Sequence, residues 1–356
     1  MPPTFVRVDT FCRRFGLRVP ILLAPMAGVP SPALSVAVTE AGGMGACGVI
    51  AMTPEEIAGW CDAFRGANGG PFQLNTWIPD PPPARDTEHE SRVRLFLGTL
   101  GPPVPENAGD AAPPDFAGQC EAMLEARPTV ISSIMGIYPT AFVDAMKARG
   151  IAWFACATTV DEARTAAAAG ADAIVAQGME AGGHRGAFDA ARAERQQVGL
   201  VSLVPAIVDA VKLPVVAAGG IADARGVAAA MALGASAVQV GTGLLRSPEA
   251  GIHPVWAAAL GRAAPEDTAV TRAFSGRPGR SLATRFVVAT ASPVAPAPAP
   301  YPVQRALTAA MRASGLRDGD IDRIQAWAGQ SAAMAPALPA GDIVRQMWDG
   351  ARQLLA

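Results

Sequence analysis

Histidine is scarce in this chain. Only His89, His184 and His253 occur among 356 residues, which excludes a metal centre assembled from several imidazoles and leaves three candidates for any imidazole catalysis. Charge of one sign is also lacking: Lys and Arg number 29, Asp and Glu 31, and the formal net charge is -2. A sequence-independent grip on nucleic acid or on an anionic membrane needs a large basic excess, so both are excluded as partners. The five cysteines, Cys12, Cys47, Cys61, Cys120 and Cys156, are odd in number and never fall as C-x-x-C. That is neither a disulfide framework nor a zinc pattern, and it points to a reducing cytoplasm. No uncharged apolar run reaches the roughly 18 residues of a transmembrane helix. The segment from Met1 to Leu17 has no apolar h-region or cleavage site, and the protein is expected to be soluble and cytoplasmic.

What is abundant is apolar and small. Half of the residues are hydrophobic, with 37 Gly and 32 Pro, enough for a substantial core and incompatible with a disordered chain. The length allows one large domain with a smaller one, or two ordinary ones. A phrase recurs along the chain: a helical pattern, Gly or Pro, a short apolar run, then a polar or Gly-rich loop. The apolar runs are Ile21–Ala24, Met44–Ile50, Phe72–Asn75, Thr129–Ser132, Ile151–Cys156, Asp172–Val175, Val215–Ala218 and Ser236–Val240. Short continuous apolar runs read as strands buried on both faces of a parallel sheet. Their starts at 21, 44, 72, 129, 151, 172, 215 and 237 are separated by 23, 28, 57, 22, 21, 43 and 22 residues. Five intervals suit a bare strand–helix unit, while 57 and 43 imply insertions after strands three and six. Gly170-Ala171-Asp172-Ala173-Ile174 also resembles Gly234-Ala235-Ser236-Ala237-Val238, two units later.

Eight alternating units predict an α/β fold, a (β/α)8 TIM barrel over residues 1–245 with an insertion at about 76–127. A doubly wound open sheet is the competing arrangement. Residues 246–356 read as a mainly helical second domain covering the barrel mouth, with helices over Val255–Leu260, Val303–Ser314, Ile321–Ala328 and Ile343–Leu355. The last of these is free to return to the barrel. A stiff Pro-Ala tract, Pro293–Pro302, interrupts them.

A barrel's active site lies at the C-terminal ends of its strands. Gly219-Gly220 end strand seven, Asp223 then opens a helix, and Gly241-Thr242-Gly243 end strand eight. Two side-chain-poor loops on neighbouring strands, with a helix N-terminus beside them, form a phosphate cup. The loop Gln177–Gly186 beyond strand six holds four glycines, Glu180, His184 and Arg185; glycine lets backbone approach a flat ligand, and His184 is the candidate base. His253 reads as a cap and His89 as part of a solvated helix start. Cys47 and Cys156 read as small buried apolar residues.

These residues carry a resemblance. Ala24-Pro25-Met26-Ala27-Gly28 and Glu40–Gly45 resemble the opening of the nitronate monooxygenases, formerly 2-nitropropane dioxygenases. Gln177-Gly178-Met179-Glu180-Ala181-Gly182-Gly183-His184-Arg185-Gly186 resembles their central motif, and Ala217–Ala222 with Gln239–Thr242 their phosphate-binding end. Tyr301-Pro302-Val303-Gln304 and Ala328-Gly329-Gln330 match weaker C-terminal signatures. The resemblance implies an FMN-containing barrel with a helical second domain. It implies that Met26 and Asn75 meet the flavin and that Gln177 and Gly182 lie beside its ring. Gly219, Gly220, Gln239, Val240, Gly241 and Thr242 would hold the phosphate end, and His184 would be catalytic. The implied reaction is oxidation of an alkyl nitronate, or of its parent nitroalkane, by O2 to a carbonyl compound and nitrite. Two positions depart from the pattern. Ile134 stands where many members have a second histidine, and Arg305 replaces the Asn after Tyr-Pro-x-Gln. The first makes the pocket more apolar and the second favours an anionic substrate.

Other readings of the same cup are an NAD(P)H-dependent flavin reductase acting on a quinone or enoyl thioester, a flavin-free barrel lyase or isomerase for a phosphorylated metabolite, and a non-catalytic flavin-binding module.

Overall fold

The computed structural model describes residues 3–29, 31–67 and 69–356. Eight parallel strands form one sheet: Ile21–Leu23, Gly45–Gly48, Phe72–Trp77, Val130–Ile134, Ala152–Ala157, Ala173–Gln177, Val215–Ala218 and Ala237–Val240. The first pairs with the last, Leu22 opposite Gln239. A parallel bridge between Leu22 and Met44, with the Leu23 amide donating to the Met44 carbonyl at 2.9 Å, joins the first strand to the second and closes the circle. The open-sheet alternative is thereby removed. Every expected strand is present with its start displaced by no more than one residue. The register follows from burial: on the strands from Val130 to Val240 nearly every residue is buried, as expected where helices cover the outside and side chains fill the inside.

The two ends of the barrel are closed by different means. At the N-terminal end lies a helix over Pro3–Phe15, which the sequence reading did not anticipate. Phe11 and Phe15 pack on Phe154, with ring centroids 6.0 and 4.9 Å away. Arg7 donates to the carbonyls of Met231 and Ala235, capping the helix Ala224–Ala232. The final helix, Ala340–Leu355, buries Ile343, Val344, Met347, Trp348 and Ala351, one stripe at helical spacing, against Ala224–Ala232 and Ala33–Glu40. Gly350 sits where that approach is tightest, since a Cβ there would fall 2.6 Å from the Ala224 side chain.

Beyond the C-terminal end of the strands, the segment after residue 245 is not only helical. Thr268–Thr271 and Gly279–Leu282 form an antiparallel pair, extended by Gly183–His184 from the loop after strand six. The expected helix over Ile321–Ala328 does not form. Residues 320–323 turn, and Trp327 then bridges to Ser281 while the Ala326 carbonyl accepts from the Leu282 amide and the Ser281 hydroxyl. The apolar spacing of Ile321, Ile324 and Ala328 suits a helix, but sheet partners elsewhere in the chain override that local preference. The Val303–Ser314 expectation resolves into helices Val303–Leu307 and Ala309–Asp318.

The insertion after strand three also divides. Phe116–Ala126 packs on the barrel helix Pro54–Ala67, whereas Thr87–Gly98 contributes Val93 and Leu97 to a satellite core with Phe274, Phe286, Val303, Leu307 and Met311. That core joins the insertion to the C-terminal segment.

Candidate active site

The strand ends surround a cavity of about 390 Å³. Nine of the ten residues expected to hold a cofactor line it: Met26, Asn75, Gln177, Gly182, Gly219, Gly220, Gln239, Gly241 and Thr242. His184 lines it too. Val240 does not; it is 1% exposed and belongs to the barrel core, its carbonyl accepting from the Ala24 amide. Strand alternation explains the split, since Gln239 and Val240 must point to opposite faces.

One end of the cavity is made of backbone. Gly219 and Gly220 have φ of +121° and +67°, a region that costs an L side chain strain. A Cβ on Gly182 would stand 2.5 Å from the Gly329 amide nitrogen. The C-terminal segment therefore reaches this end: Gly329 donates its amide to Thr242 Oγ1 at 3.0 Å, and Ser331 Oγ donates to the Gly220 carbonyl at 2.6 Å. The helix beside it contributes less than expected. Asp223 caps its own helix, accepting from the amides of Arg225 and Gly226, so those first-turn donors are already used.

The other end is made of side chains. Gly183–His184 pairs with Gly279–Arg280, and Gly279 is needed because a Cβ would lie 2.9 Å from the Trp327 ring. The imidazole sits edge-on between Trp77 and Trp327, with centroids at 4.5 and 4.7 Å, and its Nε2 is 2.7 Å from Ser275 Oγ. Burial, then the positive charges of Arg305, Arg277 and Arg312, push its pKa down to about 3. The ring borders the cavity and keeps some accessible surface, yet protein surrounds it. At neutral pH it is uncharged, and the positive charge beside the cavity belongs to the arginines. Arg305 and Arg312 both line the cavity. Arg312 holds the Arg305 carbonyl and has no carboxylate partner among the described residues; burial and Arg305 push it down to about 10. Arg277, whose charge also acts on His184, is paired with Asp80 of the proline-rich stretch after strand three.

Ile134 lines the cavity as an apolar wall. His253 caps the helix Pro254–Leu260, and His89 lies in the first turn of Thr87–Gly98. All five cysteines are free and buried; Cys156 borders the cavity, but burial pushes its thiol up to about 12, so it is no nucleophile. Sequence reasoning missed Trp77, Ser275, Arg312, Trp327 and Ser331. Two had a signal: Trp77 shares the strand face of Asn75, and Arg312 lies seven residues after Arg305, on one face of the helix expected over Val303–Ser314.

Among the described residues no group of three or more His, Cys, Asp or Glu is arranged to hold a metal, and no helix is long and apolar enough to cross a membrane. Residues 11–350 match the family model for nitronate monooxygenase. A nitronate monooxygenase of Pseudomonas aeruginosa is 38% identical over 344 residues, spanning 95% of this chain and 98% of that one. Among solved structures, nitroalkane oxidase from Streptomyces ansochromogenes superposes with a TM-score of 0.88 at 34% identity, covering 97% and 99% of the two chains. FabK from Thermotoga maritima gives 0.75 at 29%, covering 97% and 96%. With a barrel of this kind, a cavity at its strand ends and a match along nearly its whole length, the chain belongs to the nitronate monooxygenase family of oxidoreductases.

Proposed function

We propose that the protein binds FMN in this cavity and uses O2 to oxidise alkyl nitronates to a carbonyl compound and nitrite. The observation that carries the reading is His184, neutral and held between two indoles, in the same cavity as the glycine loops. The residues present fit the cofactor. Gly219, Gly220, Gly241 and Thr242 would hold its phosphate end, and Val240, buried outside the cavity, would not touch it. Met26, Asn75, Gln177 and Gly182 would lie along its ring. FMN supplies the electron transfer, which none of these side chains can perform.

The chain's own groups do the rest. Arg305 and Arg312 attract an anionic substrate and offset its charge. His184, one nitrogen tied to Ser275, has the other free to take the α-proton of a neutral nitroalkane or to orient a nitronate. Trp77, Trp327 and Ile134 keep water from the reacting carbon. O2 and a small nitronate are the only partners this chemistry needs.

The test is spectroscopic. The purified protein should show bound flavin, and anaerobic mixing with propionate 3-nitronate should bleach it. Bleaching by NADPH but not by the nitronate would replace this reading with the NAD(P)H-dependent reductase.

A further inference from the structure

Arg185 follows His184 in the chain but does not line the cavity. Its side chain is 2% exposed, among the largest fully buried ones. One nitrogen makes all of its hydrogen bonds: Nη1 donates to the Gly178 carbonyl at 2.7 Å and to the carbonyl and Oε1 of Gln177 at 3.3 Å each. Nε and Nη2 are buried without a partner among the described residues. The nearby acids are engaged elsewhere. Glu162 accepts from the amide and hydroxyl of Thr158 and from the Phe188 amide, and Glu180 accepts from the Leu200 amide. Cys156 remains a thiol, and Arg280 adds a further positive charge.

Among the described residues no carboxylate pairs with it directly; Glu162 and Glu180 act on it only at longer range, so a further negative charge near this buried guanidinium would be favourable. Among the described residues Gln177 is the only side chain that Arg185 donates to, and Gln177 lines the cavity. Gln177 is also the junction of the loop. Its Oε1 accepts from the Gly186 amide at 2.8 Å and its Nε2 donates to the His184 carbonyl at 3.0 Å. The positive charge thus stands one side chain behind the cavity wall, on the loop that carries the base.

We propose that Arg185 is the positioning residue that supplies compensating charge to a flavin in this cavity, favouring states in which the ring is negative. The inference rests on the FMN reading above. When FMN takes up two electrons and one proton, the ring gains one negative charge. Sulfite produces the same charge without a redox partner: a sulfur–nitrogen bond forms, and the electron pair of sulfite enters the ring. In both cases a guanidinium one residue away is attractive and its loss is felt through a low-dielectric wall.

The experiment titrates FMN-loaded wild type, Arg185→Gln and Arg185→Lys with sulfite. It then measures the reduction potential of each with dithionite as donor and a reference dye. Arg185→Gln should weaken sulfite binding roughly tenfold or more. It should also lower the potential by about 30 mV, the equivalent of tenfold in a two-electron couple. Arg185→Lys, which keeps the charge, should stay close to wild type. Unchanged sulfite affinity and potential in a fully loaded Arg185→Gln protein would overturn the proposal. So would equal defects in both variants, or loss of FMN from both while they remain folded, because either result assigns Arg185 to hydrogen-bonded scaffolding. A wild type that binds no FMN would instead defeat the reading above.

Discussion

The two ends of one cavity are built on opposite plans. At the glycine end, Gly219, Gly220, Gly241 and Thr242 offer backbone and one hydroxyl, and no lining residue there carries charge. At the other end, His184 sits between two indole rings and Arg305 and Arg312 line the cavity, and every one is either charged or held uncharged by its surroundings. A backbone cup is tolerant of pH and demanding of shape. A side-chain cluster is the reverse: its properties depend on charge, and a single substitution changes them. Under the proposed function, cofactor retention would belong to one end and substrate choice and proton handling to the other, which makes the proposal breakable by mutations confined to each.

The largest effect is expected at the glycine end. Thr242→Asp places a carboxylate where the phosphate would sit. Like charges near 4 Å repel by about 4 kcal/mol at the effective dielectric of a partly buried site, about 10³-fold in affinity. Apoprotein reconstituted with FMN should therefore show this loss by fluorescence titration while its unfolding transition is retained. A variant as yellow as wild type would remove the cup from that end. Second comes His184→Asn, which should keep FMN and lose turnover of a neutral nitroalkane by ~10²-fold or more, the scale for general-base removal. Unchanged turnover would leave the imidazole as packing alone.

Arg305→Ala is the third and smaller expectation. Hydrogen bonds to charged groups contribute about 1.5–3 kcal/mol, so the KM for propionate 3-nitronate should rise by roughly tenfold relative to that for ethylnitronate, which has no carboxylate. Equal changes for both substrates would mean that Arg305 acts on the nitronate itself and not on a second anionic group.

The same contrast explains what the sequence made legible. The barrel and its glycine end could be read because each depends on contiguous residues: an apolar run followed by Gly219-Gly220 or Gly241-Thr242 is a local signal. The side-chain end is assembled from distant pieces. Ser275 reaches His184 across 91 positions, and Trp77 and Trp327 meet the same ring from strand three and from the C-terminal segment. The hairpin Thr268–Leu282 was hidden because its four-residue strands lack strong alternation, and the supposed helix at 321–328 was hidden by its misleading spacing. His184 was found from its motif, but nothing local to it announced the arginines that hold it neutral.

A further effect, on stability and not on turnover, follows from those arginines and carries a sign. In the unfolded chain an imidazole takes a proton below about pH 6.5; in the folded protein burial and Arg305, Arg277 and Arg312 delay that until about pH 3. Between these values unfolding takes up one proton, so stability is complete above the upper limit and declines as pH falls, by up to about 1.4 kcal/mol per pH unit from this residue. His184→Asn cannot take up that proton. Its stability relative to wild type should therefore rise steadily on acidification from pH 7 to pH 4, as read from urea unfolding at several pH values. Thr242→Ser, at the end with no ionisable lining, should run parallel to wild type throughout. Parallel slopes for His184→Asn as well would show that the imidazole is solvated in the folded protein, and the two ends of the cavity would then differ in composition but not in their response to pH.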